Sequence, residues 1–183
     1  MKNILIFIWE LVKIIVITSL IVIPIRYFIF QPFFVKGSSM EPNFSNGDYL
    51  IVDELSYRFR QPKRGEVIVF RYPKNPSQRY IKRIIGLPGE TIEFKESQIL
   101  IYDKNGRKKI LEESNYLPIY YPEFFEEKKI SLGPNEYYVL GDNRASSFDS
   151  RRWGVLPRKN IIGRVVFRAW PLAAMAKVEA PAY

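Results

Sequence analysis

Hydrophobic positions follow one pattern over the first thirty residues and another over the rest. From Ile4 to Phe30 the chain is dominated by Ile, Leu, Val and Phe, and the window Leu11–Phe30 carries only Lys13 and Arg26 as charges, each near an end. At about 1.5 Å per residue, a helix of about 20 residues spans the roughly 30 Å hydrocarbon core of a bilayer. The pattern therefore predicts a membrane anchor over residues 1–27, with the two basic side chains reaching to opposite interfaces. Glu10, three residues before Lys13, is placed to pair with it on one helix face. Pro24 predicts a kink or an end to the helix. The residues that follow, "RYFIFQPFFVK", are bulky. A cleavable export leader would end in small residues, so the anchor is expected to stay attached. Tyr27, Phe28, Phe30, Phe33 and Phe34 suit a membrane interface.

Beyond Val35 the apolar residues come in short runs rich in branched and aromatic side chains. These predict strands over 49–55, 65–72, 79–86, 96–103, 136–141 and 161–170. The breaks between them are turn-forming: "RQPKRG", "PKNPSQ", "GLPGE", "LGPNE" and "GVLPRK". Asn105-Gly106 predicts a hairpin turn between 99–104 and 107–111. The expected fold class is mainly β: one β-rich domain over 28–183 behind a single amino-terminal helix. The more charged and aromatic stretch 104–132 is expected to be a small surface insertion.

Composition narrows the chemistry. The 183 residues include no Cys and no His. Disulfides and thiolate metal sites are excluded, and the commonest metal ligand and general base is missing. Carboxylate-only metal sites stay open, but the chain has no dense acidic cluster, so no metal is expected. The net charge is +9, but the basic residues are scattered along the chain. That favours contact with anionic membrane lipid over nucleic acid.

The stretch "KGSSMEP" (36–42) puts two serines and a glycine just past the anchor. If one serine is a nucleophile, its base must be Lys, Asp, Glu, Tyr or an amino terminus. A lysine half neutral at pH 7 needs its pKa lowered by about 3.4 units, or about 4.6 kcal/mol, and burial supplies about 3–5 units. The lysine to look for has apolar neighbours. In "YIKRII" alternation puts Lys82 on one face with Tyr80 and Ile84, and Arg83 on the other. Most other lysines sit beside Pro, Gly, Asn or charged residues. A second polar cluster, "GDNRASSFDSRRWG" (141–154), begins with turn chemistry. It offers the pairs Asp142–Arg144 and Asp149–Arg151 as buttresses.

Together and in this order, the three segments resemble the boxes of bacterial type I signal peptidases, from the anchor to about Trp170. "GSSMEP" resembles the serine box, in which the nucleophile precedes a Met, which implies Ser39. "YIKRIIGLPGE" resembles the lysine box, which implies Lys82 as general base. "GDNRASSFDSRRWG" resembles the carboxy-terminal box. There the resemblance implies that Ser147 orients the lysine, with Asp149, Arg151 and Asp142 in support. Gly37 stands where some members carry a hydroxyl that assists the oxyanion. The resemblance implies hydrolysis of exported preproteins outside the membrane, after Ala-x-Ala-like sequences. Residues expected to line the substrate pockets are Phe33, Val35, Met40, Phe44, Tyr80 and Ile81. Peptidases with a Ser–Lys dyad and other substrates, and a tethered β domain that only binds, remain as alternatives. The tail "PLAAMAKVEAPAY" itself contains Ala174-Met175-Ala176, a potential self-substrate.

Overall fold

A computed structural model describes residues 2–28, 30–96, 98–117 and 127–181. Over the first thirty residues it describes side chains only at Ile4 and over 6–22. The chain opens with helix α1, Lys2–Phe28. The helix runs past Pro24, so the proline does not end it. Its apolar side chains are exposed, and Lys13 pairs with Glu10 at 2.7 Å. Among the described residues no helix is long and apolar enough to cross a membrane. The side chains of 23–30, which would complete the predicted span, lie outside those described.

The rest is mainly β. Strands β1 (Phe30–Phe34) and β2 (Tyr49–Asp53) are followed by a short helix α2 (Ser56–Phe59). Then come β3 (Val67–Tyr72), the long β4 (Asn75–Gly86), β5 (Thr91–Lys95), β6 (Gln98–Tyr102), β7 (Lys108–Ile110) and β8 (Lys128–Ser131). After β9 (Glu136–Leu140) come α3 (Ser150–Trp153), β10 (Leu156–Pro157), β11 (Ile161–Trp170) and β12 (Ala176–Lys177).

The described strands form two sheets. The larger has the order β1-β2-β11-β3-β4-β9-β10, with β12 added on β11; the smaller has the order β7-β6-β5-β8. All the pairings are antiparallel. Alternation sorts the side chains of the large sheet between two cores. Val67, Val69 and Ile81 join Val35, Met40, Phe44, Leu50 and Val52 in one. Ile68, Phe70 and Ile84 join Tyr137, Val139, Trp153 and Leu156 in the other. A third core, built on Ile92, Phe94, Ile99 and Ile101, closes the small sheet against Ile85, Tyr138 and Leu140.

Two expectations change here. The predicted hairpin forms, with Gly106 at φ 78° in its turn, but it belongs to a sheet with its own core. That sheet recruits 91–95, where no strand is expected, and 128–131. Residues 118–126 of the expected insertion lie outside those described. The tail is not loose either: Ala176 and Lys177 pair with Arg168 and Phe167, and Val178 packs into the first core. The potential self-cleavage site is held in a strand.

Candidate active site

The serine stretch lies in a turn between β1 and β2. Its ends are closed by backbone bonds, Val35 N–H to Asp48 O at 3.0 Å and Gly47 N–H to Val35 O at 2.9 Å. Gly37 has φ 88°, a left-handed conformation that favours glycine, and its N–H donates to Asn46 Oδ1 at 2.9 Å. The turn is tied to the 141–154 loop on the other side. Asn143 N–H donates to the Ser39 carbonyl at 3.1 Å, and Asn143 Nδ2 donates to the Ser38 carbonyl at 3.1 Å. The Ser39 peptide is therefore fixed from both flanks.

Lys82 comes from β4, where it pairs across to Ile68 of β3. Its Nζ lies 2.6 Å from Ser39 Oγ and donates to the Ile81 carbonyl at 2.8 Å. The Tyr80 ring centre is 5.8 Å away. The residue is 4% exposed, and a lysine with so little water around it loses its proton more readily. Burial pushes its pKa down to about 8, while the Asp149 and Asp142 carboxylates pull the other way. The sequence-based reading of an apolar setting for Lys82 agrees with this burial. The neighbouring Arg83 has its charge matched by Asp142.

That match also corrects a predicted pair. Asp142 does not bind Arg144: its carboxylate takes Arg83 Nε at 2.8 Å and Nη2 at 2.6 Å, plus Asn43 Nδ2 at 2.9 Å. Arg144 turns instead to Glu113. Asp149 and Arg151 do pair, at 2.8 Å through each of Nε and Nη2. Asp149 also caps α3 by accepting from Arg151 N–H and accepts from Gly141 N–H at 3.0 Å. Burial pushes its carboxyl up, but the Arg151 hydrogen bonds and charge outweigh it and hold the pKa below the ordinary value.

Ser147 is buried beside the site; its Oγ sits near enough to Asp149 to help hold that carboxyl's pKa down but makes no well-formed hydrogen bond. The expected bond to Lys82 is absent here, and the lysine is oriented by Ser39 Oγ and the Ile81 carbonyl. Ser147 packs against Gly141, where an added Cβ would collide with Ser147 Oγ and the Ser39 carbonyl oxygen. Gly141→Ala must displace one of them. It is expected to cost about 1–3 kcal/mol of stability, read by thermal unfolding.

A groove of about 460 Å³ runs over the pair, lined by Phe33 and Phe34 of β1, Lys36 to Ser39, Arg79 to Lys82 of β4, and Phe148. Of the six residues expected to form the pockets, Phe33, Tyr80 and Ile81 line it. Val35, Met40 and Phe44 are not among the lining residues; they pack in the first core with Ile81, which alone of the four also reaches the groove. Among the described strands, β9 pairs β4 only from Arg83 to Gly86, so the outer edge of 79–82 faces the groove with its backbone unclaimed by β9. Among the described residues no cluster of acidic side chains is arranged to hold a metal ion.

The family model for signal peptidase, peptidase S26, matches residues 8–170. The chain belongs to this family. Signal peptidases of cyanobacteria and bacilli are similar over most of its length. A probable signal peptidase I-2 of Synechocystis is 39% identical over 168 residues, covering 89% of this chain and 73% of that protein. The signal peptidase I of Leptolyngbya laminosa is 38% identical over 179 residues, covering 94% and 84%. That of Bacillus caldolyticus is 35% identical over 168 residues, covering 85% and 88%. As a member of the family the chain is a serine peptidase. Against that background the groove residues that sequence reading overlooked stand out. Arg79 and Phe148 lie at the groove although neither belongs to an evident pairing pattern, and only the folded contact of β4 with the 141–154 loop brings them together.

Proposed function

We propose that the protein is a membrane-bound signal peptidase in which Ser39 is the nucleophile and Lys82 the general base. The observation that carries this reading is the 2.6 Å approach of Lys82 Nζ to Ser39 Oγ at the floor of the groove. As Ser39 Oγ attacks the scissile carbonyl, its proton passes to the neutral Lys82 amine. The oxyanion is held by the Ser39 backbone N–H, fixed by the Asn143 contacts. When the C–N bond breaks, Lys82 returns the proton to the leaving amine. It then takes a proton from water, whose oxygen attacks the ester and releases Ser39. Asp149, Arg151, Asp142 and Ser147 support this geometry without reacting, and no cofactor takes part.

The substrate is an exported preprotein bound as an extended strand along 79–82 of β4 and 32–34 of β1. Main-chain hydrogen bonds hold it. Alternate side chains of a strand face one wall, here Phe33 and Ile81, and small residues one and three positions before the cut fit against it. Helix α1 holds the 28–183 domain at the outer face of the membrane, in contact with lipid. The test is cleavage of a model preprotein by the full chain. Ser39→Ala is expected to abolish cleavage, and replacing the Ala just before the cut with Leu is expected to lower kcat/KM at least about 10²-fold through overpacking at that wall. Unchanged cleavage by Ser39→Ala would overturn the mechanism, and unchanged cleavage of the Leu substrate would overturn the pocket assignment.

A further inference from the structure

The segment after β7 belongs by sequence to the small sheet, yet its side chains reach the site. Leu111, 6% exposed, is anchored in the third core, and its N–H donates to Ile99 O at 2.9 Å. From there the chain turns, with Leu117 N–H donating to Glu113 O at 2.9 Å. Three contacts leave this turn, and each ends on a different part of the site. Glu113 binds Arg144 of the 141–154 loop through Nη1 at 2.8 Å and Nη2 at 2.5 Å. The Tyr116 carbonyl accepts from Asn43 Nδ2, in the serine turn, at 2.7 Å. The Tyr116 ring lies 4.1 Å from the Arg83 guanidinium, next to Lys82 on β4. Tyr116 OH donates to Glu113 Oε1 at 2.5 Å, joining the contacts into one network.

We propose that residues 113–117 are a positioning element for the Ser39–Lys82 pair, with Glu113 and Tyr116 as the positioning residues. This rests on the Ser39–Lys82 reading of the site. Polar and ring contacts from this one turn reach the serine turn, the lysine strand and the 141–154 loop at once. Arg144 carries the effect inward. Its side chain is 1% exposed, its Nε donates to the Gly141 carbonyl at 3.0 Å, and its own carbonyl accepts from Arg151 Nη2 at 2.8 Å. Gly141 in turn fixes the space that Ser147 and the Ser39 carbonyl share. A bidentate arginine–carboxylate pair is directional as well as strong, so loosening it lets the loop tilt and admits water to Lys82. The charged groups acting on Lys82 are Asp149 and Asp142 of the loop. Arg83, its neighbour on β4, is neutralised by Asp142. Water entering beside Lys82 moves its pKa back towards 10.5.

The experiment uses the full chain in detergent, with active sites counted by an acylating serine probe and rates taken per counted site. Glu113→Ala and Tyr116→Ala are each expected to lower kcat about 10–100-fold, to leave KM within about twofold because neither residue lines the groove, and to move the pH–rate midpoint upward. Tyr116→Phe, which keeps the ring over Arg83, and Glu113→Gln, which keeps the shape and one acceptor, are expected to recover part of kcat. A fall in the number of counted sites with rate per site and pH midpoint unchanged in both alanine variants would overturn the proposal, since it would mark a purely structural role. Lys82→Arg is run alongside. If it is inactive while both alanine variants match wild type, the positioning role alone fails; if it is active, the Ser–Lys reading and this proposal fall together.

Discussion

Replacing Lys82 with arginine is expected to leave a folded protein that cleaves a model preprotein about 10²–10⁴-fold more slowly. Arginine keeps the length and the charge but stays protonated at any working pH, so it cannot accept the serine proton. In wild type the same logic sets the pH dependence. Burial lowers the Lys82 pKa to about 8, so only about a tenth of the molecules carry the neutral amine at pH 7. Activity should rise through pH 7 to 9 and level off above the pKa, the direction expected when the deprotonated form is the active one. Initial rates across that range, with near-ultraviolet circular dichroism to check folding, measure both effects. Turnover by Lys82→Arg within tenfold of wild type would remove lysine from the role of base.

The largest loss of stability is expected from Asp142→Ala. The Asp142 and Arg83 side chains are 0% and 4% exposed, so the substitution takes the two-pronged carboxylate away from a buried guanidinium that also touches Gly65 O and the Tyr116 ring. Breaking such a pair from one side costs about 3–5 kcal/mol, which for a chain of this size lowers Tm by about 6–20 °C. Removing both charges in Arg83→Met/Asp142→Leu is expected to cost less than either single change, because no charge is left uncompensated. Thermal unfolding of the solubilised full chain reads all of these. A Tm within 2 °C of wild type for Asp142→Ala would show that the Arg83–Asp142 pair adds little to stability.

What the sequence carried is what is written locally. Short runs of branched and aromatic residues located β2, β3, β4, β6, β9 and β11, and Asn105-Gly106 located a hairpin, because each signal depends on neighbours within a few residues. The setting of Lys82 was legible for the same reason. Strand β5 was not, since "TIEFK" is short and begins straight after a Gly-Glu break, and it earns its conformation by pairing with both β6 and β8. Partner choice among charges was illegible. Arg144 lies two residues from Asp142, yet binds Glu113, 31 positions away, and Asp142 binds Arg83 across 59. Nothing in sequence spacing selects between such partners; the sheet order does. Val35, Met40 and Phe44 were placed at the groove because they flank Ser39, but the turn directs them into the core behind it.

The order β1-β2-β11-β3-β4 has a temporal consequence. The serine turn hangs from β1 and β2, the lysine strand from β3 and β4, and the strand that joins these halves, β11, is made more than 100 residues after the serine turn. β11 pairs with β2 on one side and β3 on the other, so the two reactive groups share no continuous sheet until it docks. Contacts of such long range form late in folding. Without β11 the serine turn and the lysine strand have no sheet in common. On the Ser39–Lys82 reading, a chain cut short before residue 161 is expected to lack activity, because the sheet that joins the two halves is incomplete.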